Sequence, residues 1–187
     1  MPTDIDKYIS ELRHTVTVAA LNYDIWRVYT NPDDRSQYLD TMNRYRLFFT
    51  TSIHAHFVAM LVALYRLYET RKDTYNIPSL LRLVRNEKSF DEPILTMLEQ
   101  EYQQARPLWK KVNILRNKVF GHRSVAHTID EAFKEASVSP DELRNLLEAT
   151  KTLLNELSHA WDKSFAAFNL NARDDTICLL KDLKSMS

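Results

Sequence analysis

The residues best suited to chemistry lie around the chain's single glycine. Residues 116–123 read Arg-Asn-Lys-Val-Phe-Gly-His-Arg, so Arg116 and Asn117 precede Gly121 and His122 follows it. Histidine titrates near neutral pH, arginine can hold phosphate oxygens through two donors, and an asparagine side chain can orient either group. This set suits attack of an RNA 2′-hydroxyl on the neighbouring phosphate, without a metal or other cofactor. We therefore take Arg116, Asn117 and His122 as candidate catalytic residues.

The glycine is what makes this pairing geometrically reasonable. In an uninterrupted helix, Arg116 and His122 would be about 600° apart and would lie on different faces. Glycine just past a helix end accepts the left-handed conformation and lets the chain turn back. We expect Gly121 to end a helix in this way and to bring His122 toward Arg116 or Asn117.

Arg116 shares the apolar face of its predicted helix. At about 100° per residue, Trp109 lies about 20° from it, and Val112 and Phe120 about 40°. A guanidinium cannot readily lose its charge, so this position requires an acidic or backbone partner, a dimer interface, or a cleft in which a phosphate supplies the missing charge. Lys111 and Lys118 point the other way, and we expect them in solvent.

The candidate residues lie in a basic stretch. Residues 102–129 contain no acidic residue, although the chain has 25 acidic and 25 basic residues in all. Arg106, Lys110 and Arg123 are therefore candidates for RNA binding. The alternative is a solvated helix face whose acidic partners lie on a neighbouring helix.

The remaining polar residues give little sign of a second site. His54 and His56 are two residues apart and point about 200° from each other on a helix, which argues against a shared metal ion. The lone Cys178 cannot form an intrachain disulfide, which favours a reducing compartment. The longest apolar run, residues 57–65, is far shorter than the roughly 20 residues of a membrane-spanning helix. We expect a cytoplasmic protein with no secretory signal and no membrane partner.

Composition restricts the fold that positions these residues. One glycine in 187 residues excludes the phosphate-binding P-loop and the dinucleotide fingerprint, which need two and three glycines at fixed spacing. The tight turns of β-rich folds also need residues that accept positive φ. Helices joined by polar turns remain.

Apolar spacing of three and four predicts four long helices and several short ones in one domain, residues 1–187. Ser139, Pro140 and Glu142 form a strong helix start, with serine as the cap and glutamate three residues later. The second half of the second long helix is so apolar that we expect it at the centre of the bundle, contacted on several sides. The predicted helices cover residues 4–29, about 33–68 with Asp33, Asp34 or Ser36 as cap, 79–85, 92–120 with a kink or restart at Pro107, 128–136, 139–168 and 173–183. They pack most simply as an up-and-down bundle.

Several segments carry a family resemblance. The run Leu115-Arg116-Asn117-Lys118-Val119-Phe120-Gly121-His122-Arg123 resembles the signature of the HEPN superfamily, in which an arginine, a polar residue and a later histidine end a bundle helix. Upstream, Arg46-Leu47-Phe48-Phe49, Ala63-Leu64-Tyr65-Arg66-Leu67-Tyr68 and Ile77-Pro78-Ser79-Leu80-Leu81-Arg82-Leu83 are similar to its abortive-infection AbiU-like branch. The likeness covers about residues 40–125.

The resemblance implies an all-α HEPN-like bundle that forms a homodimer, with the two Arg and His motifs joined in one composite site. Many such domains are metal-independent endoribonucleases. By this likeness Arg116 would bind the phosphate, Asn117 would assist and His122 would be the acid or base. Where one subfamily has a tyrosine two residues after the histidine, this chain has Ser124, so regulation by modification of that tyrosine is not implied.

Two functions follow from these observations. One is an endoribonuclease of a phage-defence or toxin–antitoxin system, with RNA as substrate and an antitoxin protein as a further partner. The other is a non-catalytic HEPN module that binds RNA, a nucleotide or a protein. Both imply a dimer, for which large apolar residues offer more surface than four helices need to bury: Tyr45, Phe48, Phe49, Trp109 and Phe120.

Overall fold

The computed structural model describes residues 4–88, 90–121 and 129–186, and it leaves out the side chains of residues 119–130 and 132. That part of the chain consists of α-helices and connections with no strand, which confirms the all-α prediction. The helices are α1 (Asp4–Thr30), α2 (Pro32–Arg44), α3 (Arg46–Tyr68), α4 (Ile77–Asn86), α5 (Glu92–Gly121), α6 (Ile129–Ala136), α7 (Pro140–Asp162) and α8 (Ala172–Ser185).

The four long helices α1, α3, α5 and α7 form a closed bundle. Helix α1 packs against α3 and α7, and α5 packs against the same two neighbours. Their inward side chains repeat every three or four residues and make one core, to which each long helix contributes. Fully buried examples, one or two from each, are Leu12, Phe57, Leu61, Leu98, Val112 and Leu154. The up-and-down bundle predicted from the sequence is confirmed.

The predicted helix over residues 33–68 is two helices. The chain leaves helical geometry at Tyr45, where φ is −108° and ψ is 40°. This break turns Phe49 into a second apolar cluster, where its ring meets that of Tyr29 edge to edge at 5.2 Å between centroids. The cap is also not the predicted one: the Asn31 side chain accepts the Asp33 N–H, and Pro32 occupies the first turn of α2.

Two other boundaries differ from the prediction. Helix α5 runs through Pro107 as one helix of 30 residues, so no restart occurs there. Helix α7 ends at Asp162 rather than near residue 168, because Lys163 adopts a left-handed conformation with φ 64°. The side chain of Asn155 then fixes the linker after α7 by donating to the carbonyl of Ala166 at 3.0 Å and accepting its N–H at 2.9 Å.

Helix α8, for which the sequence indicated no docking site, lies against α1 and α2. Its first turn is fixed by Arg173, which donates two hydrogen bonds to the carboxylate of Asp34 on α2 at 2.7 and 2.8 Å. Farther along, Leu180 is fully buried in the second apolar cluster with Tyr29, Tyr38 and Phe49. A salt bridge and an apolar anchor therefore hold α8 in place.

Helix α3 is not enclosed as the sequence indicated. It packs on α1 and α5 through core residues such as Phe57, Leu61 and Leu64, but one apolar side stays uncovered. We call this side the α3 face; its members are Phe48 (58% exposed), Ala55 (exposed), Ala59 (half-buried) and Val62 (38% exposed).

Among the described helices, α3 is also the one long and apolar enough to cross a membrane by length and composition. Its 18-residue window has a mean hydropathy of 1.7, and 33% of that window is buried. Eight residues of α3 are nevertheless buried within the bundle. Its hydropathy is therefore consistent with a core helix of a soluble protein that has one open side.

Candidate functional site

Arg116 lies between α5 and α3, half-buried, with its charge against an aromatic ring. Its guanidinium carbon is 4.7 Å from the centroid of the Tyr65 ring. Such a cation–π contact stabilises a guanidinium that is partly removed from water. The sequence placed Arg116 on an apolar helix face, and the structure shows that Tyr65 of α3 is one group that accommodates it there.

Tyr65 is itself held by α5. The indole Nε1 of Trp109 donates to the Tyr65 carbonyl at 3.2 Å, and the two rings stack at 6.2 Å between centroids. Because Trp109 and Arg116 are two helical turns apart on one side of α5, they contact the same tyrosine from two directions. The position of Arg116 therefore depends on the α3–α5 contact.

Asn117 orients the guanidinium from the solvent side. Its Oδ1 accepts a hydrogen bond from Nη1 of Arg116 at 3.0 Å, and its Nδ2 donates to Oδ1 of Asn113 at 3.4 Å. Asn117 is exposed, so this chain of polar groups ends at the surface. The structure thus brings Arg116 and Asn117 together in the way that a phosphate-binding arginine with a polar auxiliary requires.

The expected turn at the glycine is different. Gly121 is the last residue of α5, as predicted for the helix boundary, but it does not have a positive φ. It is therefore still helical and does not itself reverse the chain. His122 and Arg123 lie outside the described residues, so the approach of His122 to Arg116 stays a prediction.

The two described candidates for RNA binding lie on the same face of α5 as Asn117. Arg106, Lys110 and Asn117 follow one another at spacings of four and seven residues on a continuous helix. Lys110 is exposed, whereas Arg106 is half-buried with its guanidinium 5.9 Å from the Tyr102 ring and a hydrogen bond to Gln103. This face is an exposed polar strip that carries two cations and leads to Asn117.

Two lysines of the basic stretch have acidic partners, contrary to the prediction that they lie in solvent. Lys111 forms an ion pair with Glu142 of α7, and Lys118 forms one with Glu135 of α6. The Lys111 ammonium holds the pKa of the Glu142 carboxyl below its usual value. For these two residues the alternative reading was right: acidic groups from neighbouring helices offset the positive charge.

The histidine pair of α3 does not form a metal site. Nδ1 of His56 is 2.8 Å from the side-chain oxygen of Asn22, and burial lowers the pKa of His56, whereas His54 is exposed. Within the described ranges, no three histidine, cysteine, aspartate or glutamate side chains gather where they could hold a metal ion.

Sequence analysis did not find the carboxyl pair between α5 and α7. Burial, and then the neighbouring carboxyl of Glu156, raise the pKa of Glu101 to about 7. The Oε2 atoms of Glu101 and Glu156 are buried and have no hydrogen-bond partner. A proton shared between the two carboxyl groups would satisfy them, since two adjacent carboxylates repel each other.

Tyr65, Trp109 and Asn113 are site residues that the sequence did not single out. Asn113 could have been found, because it lies one turn before Asn117 on the same face. Tyr65 lies 51 positions before Arg116, and no local pattern links the two. Only the packing of α3 on α5 shows that they meet.

The comparisons with known proteins agree with this architecture. The model of the HEPN AbiU2 family, described as AbiU2, matches residues 2–177. No curated protein and no solved structure matches the chain. Because the family match covers far more than half of the 187 residues, the chain belongs to the HEPN AbiU2 family.

Proposed function

We propose that this abortive-infection-related HEPN module is a metal-independent endoribonuclease of a phage-defence or toxin–antitoxin system. The observation that carries the proposal is Arg116, held against Tyr65 and oriented by Asn117 at the surface end of the α3–α5 contact. A pre-positioned arginine is what a phosphate in a transphosphorylation transition state requires. The proposal includes a cytoplasmic location and an antitoxin protein as a partner.

The chemistry assigns one task to each group. A His122 imidazole removes the proton of the RNA 2′-hydroxyl, the 2′-oxygen bonds to phosphorus, and the bond from phosphorus to the 5′-oxygen breaks. A second protonated imidazole gives a proton to the leaving 5′-oxygen. Arg116 offsets the charge on the non-bridging oxygens, and Asn117 keeps its guanidinium oriented. The products are a 2′,3′-cyclic phosphate and a 5′-hydroxyl.

A dimer would supply the two imidazoles, one from each copy. The α3 face supports this assembly, since Phe48, Ala55 and Val62 recur every seven residues along one side of an exposed helix. Heptad spacing is the pattern by which two helices pack along a shared seam, and alanines permit close approach. Because α3 also carries Tyr65, the proposed interface runs beside Arg116.

Light scattering at micromolar concentration tests the dimer. We expect the parent protein to have the mass of two chains and Ala55→Glu, which puts a charge on the α3 face, to have the mass of one. Ala149→Glu is the matched control, because Ala149 is an exposed alanine in the middle of α7, away from α3. A monomeric parent protein, or a dimer that survives Ala55→Glu with its fold intact, would refute the shared site.

Cleavage of total RNA in EDTA tests the activity. We expect the parent protein to leave cyclic phosphate ends, and Arg116→Ala and His122→Ala to abolish cleavage without loss of folding. His159→Ala, at an exposed histidine near the end of α7, is the matched control and should cut as the parent does. Unchanged cleavage by both site variants would contradict the proposal.

A second candidate is a non-catalytic module that binds RNA, a nucleotide or a protein. It is favoured by the Arg116–Tyr65 contact itself, because a cation–π pair between two helices also has a purely structural use. In that case His122→Ala would lower the melting temperature, and the parent protein would bind RNA without cutting it.

A further inference from the structure

A cleft between α1 and α7 is separate from the Arg116 site. We call it the α1–α7 cleft: it has a volume of about 640 Å³, its walls are α1 and α7, and the linker 168–171 with the start of α8 closes one end. This volume lies within the range of small-molecule sites, roughly 300–1,000 Å³. It shares no lining residue with the site on α5.

The lining of this cleft is rich in cations. Its charged residues are the cations Arg27, Arg144, Lys151 and Arg173 and the acids Asp24 and Glu148. Two of the cations have local partners, since Arg173 is bound by Asp34 and Lys151 pairs with Glu148 at 2.8 Å. The carboxyl of Asp24 accepts a hydrogen bond from the backbone of Ala172 at the start of α8.

Arg27 and Arg144 are the cations that these acids leave for a ligand, and they come from the two facing walls. Nε of Arg27 is buried and has no hydrogen-bond partner. Arg144 is exposed, and its guanidinium carbon lies 5.7 Å from the centroid of the Tyr23 ring. Two arginines on opposite sides of a cleft can bind the oxygens of one phosphate.

The cleft is built from fixed parts. The hydroxyl of Tyr23 donates to the carbonyl of Pro140, which holds α1 to the start of α7. The linker is held by the two hydrogen bonds between Asn155 and Ala166, and Phe168 has a left-handed φ of 45°. A bulky residue keeps such a conformation only where its surroundings impose it.

The apolar part of the lining sets the size of the ligand. Leu147, Phe168 and Leu170 line the same cleft as the arginines, and Leu170 is 63% exposed. An inorganic anion would leave these side chains uncovered. An aromatic group attached to the phosphate would cover them, with Phe168 as a surface on which it can stack.

We propose that the α1–α7 cleft binds a small organic phosphate of nucleotide size, with Arg27 and Arg144 on the phosphate and Phe168 and Leu170 on the aromatic group. The proposal does not depend on ribonuclease activity, because none of the cleft residues belongs to that site. It assigns the second half of α7 and the linker to ligand binding.

Calorimetric titration of the full chain tests this site, with AMP, inorganic phosphate and adenosine as probes. We expect AMP to bind more tightly than either fragment. Arg144→Gln should weaken AMP binding by about tenfold or more, because it removes a charged phosphate donor. Arg35→Gln is the matched control, since Arg35 is an exposed arginine on α2 that does not line the cleft.

The variants keep the outcome clear. Arg144 is exposed, so its substitution should leave the melting temperature unchanged, whereas the half-buried Arg27 is tested second by Arg27→Gln. Loss of AMP affinity in Arg144→Gln with RNA cleavage unaltered would support a separate site. Three results would overturn the proposal: no AMP binding at millimolar concentration, inorganic phosphate binding as tightly as AMP, or Arg144→Gln binding AMP as the parent does.

Discussion

At the scale of single residues, the contact between the Arg116 guanidinium and the Tyr65 ring is open to a direct energetic test. A cation–π pair of this kind contributes about 0.5–2 kcal/mol, with the larger values where the cation is removed from water. In a double-mutant cycle of Tyr65→Leu and Arg116→Ala, we expect a coupling free energy in this range. Urea unfolding of the four proteins measures it.

Tyr65→Phe is the control for this cycle. Phenylalanine keeps the ring face, so Arg116 should keep most of its coupling to residue 65. The hydrogen bond from Trp109 goes to the backbone carbonyl of residue 65 and is present in all variants. A coupling near zero in the leucine cycle would mean that Arg116 is held by its other contacts.

The sequence could predict one half of this contact. Counting 100° per residue placed Arg116 on the apolar face with Trp109, since both lie on one helix. The residue that meets them comes from α3, and its identity depends on the rotation and the offset of two packed helices. Those quantities are set by the whole core and are not encoded in any short segment.

At the scale of helices, the sequence predicts ends that local chemistry determines. The cap of α7 is as expected: the Ser139 side chain accepts the N–H of Glu142, and the Glu142 side chain accepts the N–H of Ser139. The break at Tyr45 is not predictable in this way, because the surrounding residues are good helix formers. It arises from tertiary packing, in which Phe49 is 2% exposed and buried against Tyr29.

The docking of α8 provides a test at this scale. Removing the charge of Asp34 by Asp34→Asn leaves Arg173 without its bidentate partner. Since Asp34 is 8% exposed and Arg173 is partly exposed, we expect a loss of about 1–3 kcal/mol in the free energy of unfolding of α8. Hydrogen exchange should show reduced protection of the α8 amides first.

Asp40→Asn is the matched control, because Asp40 is an exposed aspartate on the same helix α2. It should change the free energy of unfolding by less than about 0.5 kcal/mol. If Asp34→Asn lowered protection equally in all helices, α8 would be an integral part of the bundle and would not be a separately docked helix.

At the scale of the whole molecule, composition was enough to predict the class of fold. A chain with one glycine and many apolar residues at helical spacing has few alternatives to a bundle. The open α3 face was not predicted, since high apolarity alone does not distinguish a helix enclosed by its own chain from one reserved for a second copy. The prediction that the chain is one domain is compatible with the closed arrangement of the four long helices and stays a prediction.

The pH dependence of global stability follows from groups with opposite signs. For Glu101 the folded pKa of about 7 lies above the unfolded value of 4.5, so the folded state binds its proton more tightly and this contribution is lost as pH rises through that window. His56 and Asp34 act the other way: burial lowers the pKa of His56, and Arg173 lowers that of Asp34. Their stabilisation is lost as pH falls.

A difference measurement isolates the contribution of Glu101. Glu101→Gln is neutral at every pH and its amide can donate to Glu156, so the variant does not lose stability when the carboxyl pair would ionise. We expect its free energy of unfolding, relative to that of the parent, to rise between about pH 4.5 and 7 and to level off above, as followed by urea unfolding in closely spaced buffers. Glu87→Gln, at an exposed glutamate after α4, is the control and should give a flat difference. A flat difference for Glu101→Gln as well would show that the α5–α7 contact holds both carboxylates charged, and that the bundle tolerates this repulsion at neutral pH.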